Sequence, residues 1–143
     1  MNLNRVSTGG SNGTLLQLLM VYIAMLFFDA IWIVYIAGPL YHAHFPELIA
    51  LKLSPAFIFY ILFGGGLFYF SLLKNPNQSL GRCLFDASLF GVCVYGGYAF
   101  TLLSVFNFWR LDLALLELIW GGLLSFLVVL FSILVSRFQS KHS

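Results

Sequence analysis

Four long apolar runs alternate with short polar segments along the chain. They extend over about residues 14–37, 54–73, 83–106 and 113–135. Each run is close to the length of about 20 residues that a helix needs to cross a bilayer core. Gly38-Pro39, Lys74-Asn75-Pro76-Asn77 and residues 107–112 separate the runs with turn-forming residues. The pattern therefore predicts an all-α integral membrane protein, a bundle of four transmembrane helices.

The polar ends of the sequence divide the chain further. Residues 1–13 are rich in Gly, Ser and Asn and are expected to form a flexible tail. Residues 14–136 are expected to form one four-helix transmembrane domain, and residues 137–143 a polar C-terminal tail. The first run is too long for a cleaved signal peptide and contains Asp29 and Trp32, so we expect it to be retained as a helix.

Composition supports a membrane location and excludes other classes. The chain is 61% hydrophobic and only 8% charged, with a mean hydropathy of +0.96. A soluble domain carries about 25% charged residues. The net charge of +2 is small and its basic residues are dispersed, which gives nucleic-acid binding no electrostatic basis. Lipid must therefore solvate much of the surface.

The basic residues also predict an orientation. Lys and Arg are enriched in short cytoplasmic flanks of transmembrane helices. One side of the predicted bundle carries five of them, and the other carries two: Arg5, Lys74, Arg82, Arg137 and Lys141 against Lys52 and Arg110. This asymmetry predicts that both termini are cytoplasmic.

Two acidic residues, Asp29 and Glu117, lie inside predicted helices. A central Asp costs about 2.5–3.5 kcal/mol on insertion scales, so such residues usually face the bundle interior and serve a purpose. At about 1.5 Å of rise per residue, the acids and hydroxyls of all four helices fall about 6–12 Å below the outer helix ends, and none falls in the inner half. We expect a single polar pocket in the outer half, lined by Asp29, Trp32, Tyr60, Tyr98, Thr101, Glu117 and Trp120.

The expected pocket is open to more than one interpretation. Burial and a second carboxyl nearby disfavour the charged form, so we expect at least one acid to be protonated at neutral pH. Such a pair could bind or transport a small molecule, which is our leading hypothesis. Alternatively, the acids could only fasten helices one and four together. The protein could also be a structural or accessory subunit of a larger membrane complex, or an enzyme that acts on a lipid or quinone. Four helices of this length enclose little volume, so transport could itself require a homo-oligomer.

Other candidate chemistry is weaker. His42-Ala43-His44, with Glu47 nearby, could suggest a metal site, but the spacing does not place a third ligand beside the two histidines, so we expect a solvated loop and no metal. No hydrolase, zinc-protease, P-loop or dinucleotide motif occurs, so we assign no catalytic residue and no cofactor. Glycines in the third and fourth runs, including Gly91 and Gly121, are expected to mark helix contact faces.

Short motifs in all four runs resemble a bacterial family of small predicted membrane proteins, the domain of unknown function 2177. They are Phe28-Asp29-Ala30-Ile31-Trp32 with Leu40-Tyr41, Phe59-Tyr60 with Gly66-Leu67-Phe68-Tyr69-Phe70, Gly91 with Tyr95-Gly96-Gly97-Tyr98, and Glu117-Leu118-Ile119-Trp120-Gly121. The resemblance extends from about Leu19 to Ser132. It implies the four-span fold and a location in the bacterial cytoplasmic (inner) membrane, and it supplies no reaction.

The chain also departs from the family pattern. In the family, Asp follows the second Tyr of the third-helix motif and Asn lies three residues further on, whereas this chain has Ala99 and Leu102. The fourth-helix acid is usually Asp, and here it is Glu117. The resemblance is therefore to a diverged member, and it leaves open whether loss of the third-helix Asp and Asn abolishes an activity.

Overall fold

The computed structural model describes residues 11–47 and 52–140, and within these ranges the chain is helical and contains no extended strand. Four helical spans are long and apolar enough to cross a membrane: span 1 (Asn12–His44), span 2 (Leu53–Leu73), span 3 (Leu80–Val105) and span 4 (Leu111–Gln139). The predicted all-α bundle of four transmembrane helices is confirmed. The predicted tails are described only at residues 11–13 and 137–140, which are helical; the rest of both tails lies outside the described residues.

Span 1 continues beyond the end predicted at Gly38-Pro39. It consists of an α-helix (Ser11–Trp32), a π-helical segment (Ile33–Ala37) and a second α-helix (Gly38–His44). In the π-helical segment the Gly38 N–H donates to the Ile33 carbonyl five residues back, and this wider turn gives room for the proline ring that follows. A Cβ at Gly38 would lie 2.6 Å from that carbonyl oxygen, so only glycine fits without a shift. The prediction that the first helix ends at Ala37 is therefore wrong.

The extension changes the position of several residues. Tyr41 lies on the helix instead of on the connector, and His42 and His44 lie in its last turn instead of on a solvated loop. The His44 Nδ1 is 2.8 Å from the Leu40 carbonyl oxygen, a bond within the same helix. Among the residues that the structure describes, no three His, Cys, Asp or Glu side chains are grouped as a metal site.

Span 4 is the centre of the bundle and packs most extensively against span 3, then against span 1. Spans 3 and 4 cross at Gly91 and Gly121. A Cβ at Gly91 would overlap the Gly121 carbonyl and the Ser125 hydroxyl, and a Cβ at Gly121 would lie 2.6 Å from the Gly91 carbonyl oxygen. Because lipid supplies no hydrophobic drive for helix pairing, contact faces are enriched in small residues. These glycines let the two backbones touch, as expected for such a face.

Polar side chains are also buried at the end of the bundle near Ser11 and Ser140, where we expected no hydroxyls. Gln17 is 1% exposed, and its side-chain amide donates to the Ser136 hydroxyl at 3.3 Å. The Ser132 hydroxyl donates to the Gln17 carbonyl at 3.2 Å. The expectation of polar groups in one half only is therefore wrong. The reason is that serine hydroxyls can donate hydrogen bonds to backbone carbonyls of helices at any depth in the membrane.

Candidate functional site

Asp29 is 4% exposed and accepts a hydrogen bond on each carboxyl oxygen. The Trp120 indole N–H donates to Oδ1 at 2.9 Å, and the Tyr60 hydroxyl donates to Oδ2. These donors come from spans 4 and 2, while Asp29 belongs to span 1. One carboxyl group thus joins three of the four spans.

Glu117 on span 4 has a parallel environment and is also 4% exposed. The Tyr41 hydroxyl of span 1 donates to Oε1, and the Tyr98 hydroxyl of span 3 donates to Oε2 at 2.5 Å. Tyr41 can reach Glu117 only because span 1 continues past Pro39. The two carboxyls together connect all four spans.

Among the residues that the structure describes, both carboxyls have neutral donors and no cationic partner. Within the described ranges, 11–47 and 52–140, the ion pairs are Arg82–Asp86 at 3.0 Å and Arg110–Asp112 at 2.8 Å. Neither pair includes Asp29 or Glu117. The hydrogen bonds from Arg110 to Asp112 raise the pKa of Arg110, and this guanidinium is paired with the Asp112 carboxylate and not with either buried acid. An ionised carboxyl offers about four lone-pair sites, so each acid retains capacity for a further donor. The arrangement suits uptake of a proton or a cation.

Two tryptophans connect the acid environments. The Trp32 and Trp120 rings stack with centroids 4.4 Å apart and an interplanar angle of 4°. Each follows an acid by three residues on its own helix, which places it one turn away on nearly the same face. The repeated acid-x-x-Trp pattern therefore produces one stacked pair between spans 1 and 4.

A cavity of about 470 Å³ lies beside both carboxyls. Its walls comprise two acidic, five aromatic and three aliphatic side chains: Asp29, Glu117, Trp32, Tyr41, Phe59, Tyr95, Tyr98, Ile33, Ala37 and Val94. Ile33 is 46% exposed and Tyr98 is 38% exposed, so the cavity opens on the surface of the bundle. Its volume falls within the range of about 300–1,000 Å³ that is typical of small-molecule sites.

The structure brings six of the seven predicted pocket residues together. Asp29, Trp32, Tyr98 and Glu117 line the cavity, while Tyr60 and Trp120 hydrogen-bond to Asp29. Thr101 lies apart from them: it is exposed, and its hydroxyl donates to the Gly97 carbonyl of its own helix at 2.6 Å. Thr101 follows the fully buried Ala99 by two residues, which turns it to nearly the opposite side of the helix.

Sequence reasoning missed three aromatic wall residues. Tyr41 was missed because Gly38-Pro39 indicated a helix end, although Leu40-Tyr41 was part of the family resemblance. Tyr95 is 5% exposed and precedes Tyr98 by three residues, so the helical period of span 3 could have identified it. Phe59 carried no polar signal. The depth of Asp29 is also corrected: it lies about 22 Å from the end of its helix at His44, near the middle of span 1.

A comparison with known families matches most of the chain. A family model described as "Predicted membrane protein (DUF2177)" matches residues 14–134, which include both acids and the whole cavity wall. No curated protein and no solved structure shows a significant match to the chain.

Proposed function

The chain belongs to the DUF2177 family of predicted membrane proteins, and from this premise we propose that its two buried acids form a protonatable pocket that binds a small molecule. The single observation that supports this proposal is that Asp29 and Glu117, from spans 1 and 4, line one cavity and have only neutral hydrogen-bond donors among residues 11–47 and 52–140. Proton uptake and ligand binding then compete for the same carboxyl groups.

A purely structural role would be met by simpler packing. Acids that only fasten helices need donors, which Tyr60, Trp120, Tyr41 and Tyr98 supply, but they need no empty space beside them. The cavity of about 470 Å³ beside both carboxyls opens on the surface of the bundle, so a small molecule can reach the acids, and this access favours a bound ligand over a fastening role.

We further propose that the protein resides in the bacterial cytoplasmic membrane with both termini inside. The cavity then lies towards the outer side, because Tyr41 and the 106–110 connector are at the end opposite Ser11 and Ser140. A fluorescent protein fused after Ser143 tests the orientation, because such a fusion matures in the cytoplasm. A fusion that is inserted in the membrane but stays dark, while an alkaline phosphatase fused at the same site is active, would contradict it.

The protonation of the pocket can be tested by infrared spectroscopy on the purified protein in lipid nanodiscs. A protonated carboxyl has a carbonyl stretch distinct from that of a carboxylate. We expect a pH-dependent protonated-carboxyl band that decreases in Asp29→Asn and in Glu117→Gln. Asp112→Asn and Glu47→Gln are matched controls, because both side chains are exposed and lie outside the cavity. If the wild-type band does not change with pH, or if both pocket variants retain it in full, the proposed function is wrong.

A second candidate is an enzyme that acts on a lipid or quinone. The observation that favours it is the opening of the cavity between helices, at Ile33 and Tyr98, with both carboxyls inside. Paired carboxyls can act as general acid and base. Incubation of the protein in bacterial lipid extract, followed by mass spectrometry, separates the two candidates. A product that forms with wild type and not with Asp29→Asn supports catalysis, and an unchanged lipid profile supports binding alone.

A further inference from the structure

We propose that the pocket ligand is a hydrophobic organic cation with one positive centre and an aromatic or alkyl body. This inference rests on the proposed function, because it names the class of molecule that the protonatable pocket takes. The positive centre would lie between the carboxyls of Asp29 and Glu117, and the body would lie against the aromatic wall.

The negative charge of the ionised acids determines that the ligand carries a positive charge. In the described part of the chain, every side chain that hydrogen-bonds to the two acids is a phenol or an indole: Tyr41 of span 1, Tyr60 of span 2, Tyr98 of span 3 and Trp120 of span 4. Tyr95 of span 3 is the other titratable wall residue and is also a phenol. When an acid ionises, none of these groups compensates its charge. An anionic ligand would add to the repulsion, whereas a cation would remove it.

The wall chemistry favours an organic cation over a small inorganic one. Hard cations such as Na⁺, Mg²⁺ and Ca²⁺ need several oxygen ligands to replace their hydration shell. Here each carboxyl oxygen already accepts a phenol or indole donor, and eight of the ten lining residues are aromatic or aliphatic. Rings attract a weakly hydrated cation through their negative faces, which is how aromatic cages bind quaternary ammonium groups.

The position of the opening is consistent with such a ligand. The cavity opens at Ile33 and Tyr98, on a surface that lipid covers in the membrane. Towards the Gln17 end, the core below the acids includes four fully buried apolar residues, Val21, Met25, Leu124 and Val128, and the buried Ser125 hydroxyl there donates to a carbonyl of its own helix. A hydrophobic cation partitions into the bilayer and can enter from the side. It then leaves by the same route, so equilibrium binding is the suitable measurement.

Cation binding exchanges with a proton. In the ligand-free pocket, a carboxyl O–H holds the proton. When the cation binds, that O–H bond breaks, the proton passes to bulk buffer, and the carboxylate stays as the counter-ion. If one proton leaves per cation, the apparent affinity falls about tenfold for each pH unit below the range in which the carboxyl titrates.

The test measures binding of benzyltrimethylammonium to the full chain in nanodiscs, with neopentylbenzene as the uncharged molecule of the same shape. The intrinsic fluorescence of Trp32 and Trp120 reports the site, in a Trp109→Phe background that removes the third tryptophan. Empty nanodiscs correct for partition into lipid. At pH values above the range in which the pocket carboxyl titrates, we expect the cation to bind at least about tenfold more tightly than the neutral molecule. This preference should disappear in Asp29→Asn or Glu117→Gln.

A second variant guards against misfolding of the acid variants. Tyr98→Phe keeps the ring of the wall and removes only the hydroxyl that donates to Glu117. We expect it to retain cation binding but to shift the pH at which binding is lost. A uniform loss of signal at every pH, or no shift, would contradict the exchange of cation and proton.

The outcomes separate this inference from the proposed function. If the infrared band of the carboxyls changes with pH but benzyltrimethylammonium binds no better than neopentylbenzene, the cation class is wrong and the protonatable pocket stands. If the band never changes, the pocket proposal itself is wrong. If both pocket variants bind the cation as wild type does, the ligand lies elsewhere and the inference is overturned.

Discussion

The hydrogen bond between the Trp120 indole and Asp29 offers the most direct test of how the acids hold the bundle together. Its donor and acceptor are 2.9 Å apart, and the two residues are 8% and 4% exposed. Trp120→Phe removes the N–H and keeps an aromatic ring, and Asp29→Ala removes the acceptor. A double-mutant cycle over these two changes measures the bond separately from the other effects of each change.

The expected magnitudes follow from the contacts. Interhelical hydrogen bonds in membrane proteins contribute about 0.6 kcal/mol on average and up to about 1.7 kcal/mol. Stacking of Trp120 on Trp32 adds about 0.5–1.5 kcal/mol, of which phenylalanine keeps a part. Trp120→Phe alone should therefore lower the free energy of unfolding by about 1–3 kcal/mol. The coupling energy should be about 0.6–1.7 kcal/mol, because the loss of stacking is common to both arms of the cycle and cancels.

The assay is reversible unfolding in mixed micelles with increasing sodium dodecyl sulfate, followed by circular dichroism. Asp29→Ala combined with Tyr22→Phe is the control cycle. Tyr22 donates to the Ile61 carbonyl at 2.9 Å and lies seven residues from Asp29, so the two changes should add. A coupling below about 0.3 kcal/mol between Asp29 and Trp120 would refute the proposed role of this bond, because independent sites reach that value.

Three further predictions concern packing and the limits of the pocket. Gly91→Ala should destabilise the protein by about 1–3 kcal/mol in the same assay, because its Cβ would overlap span 4. Gly97→Ala is the control and should not destabilise it, because no neighbouring atom lies within 4 Å of the new Cβ. Equal effects of the two changes would contradict the close crossing. Gly38→Ala should both lower stability and weaken cation binding, since the new Cβ shifts the π-helical segment, which forms part of the cavity wall. Unchanged binding in the fluorescence titration would contradict this link. Thr101→Val should leave the infrared pH response unchanged, because its hydroxyl bonds only within its own helix, and a shifted response would place Thr101 in the site.

The number and type of elements could be predicted because membrane thickness imposes them. Hydrocarbon of about 30 Å leaves backbone groups no partner except other backbone groups, so an apolar run of sufficient length must be helical. The four runs lie within the four spans, apart from residue 106 at the end of the third run. The ends of the spans were less predictable. Gly38-Pro39 has the composition of a helix stop, and only the wider turn over Ile33–Ala37 allows the helix to continue.

The acid pair could also be found from the sequence, because carboxyls within apolar runs are costly enough to require an interior position. Their donors could not be assigned in the same way. Tyr98 and Thr101 have similar depths, yet Tyr98 donates to Glu117 and Thr101 bonds to its own helix. Depth depends on the rise along one helix, whereas donor choice depends on how each helix is rotated against its neighbours.

The sequence by itself thus determined that this protein is a four-span helical bundle with two acids inside it, since length and polarity act on each segment separately. Only the tertiary structure decided that Tyr41 reaches Glu117, that Trp120 reaches Asp29, and that a cavity is left between them. These contacts depend on the crossing at Gly91 and Gly121 and on the continuation of span 1, which no single segment specifies. Packing between helices is a joint property of several faces, and the shape of the pocket is a consequence of it.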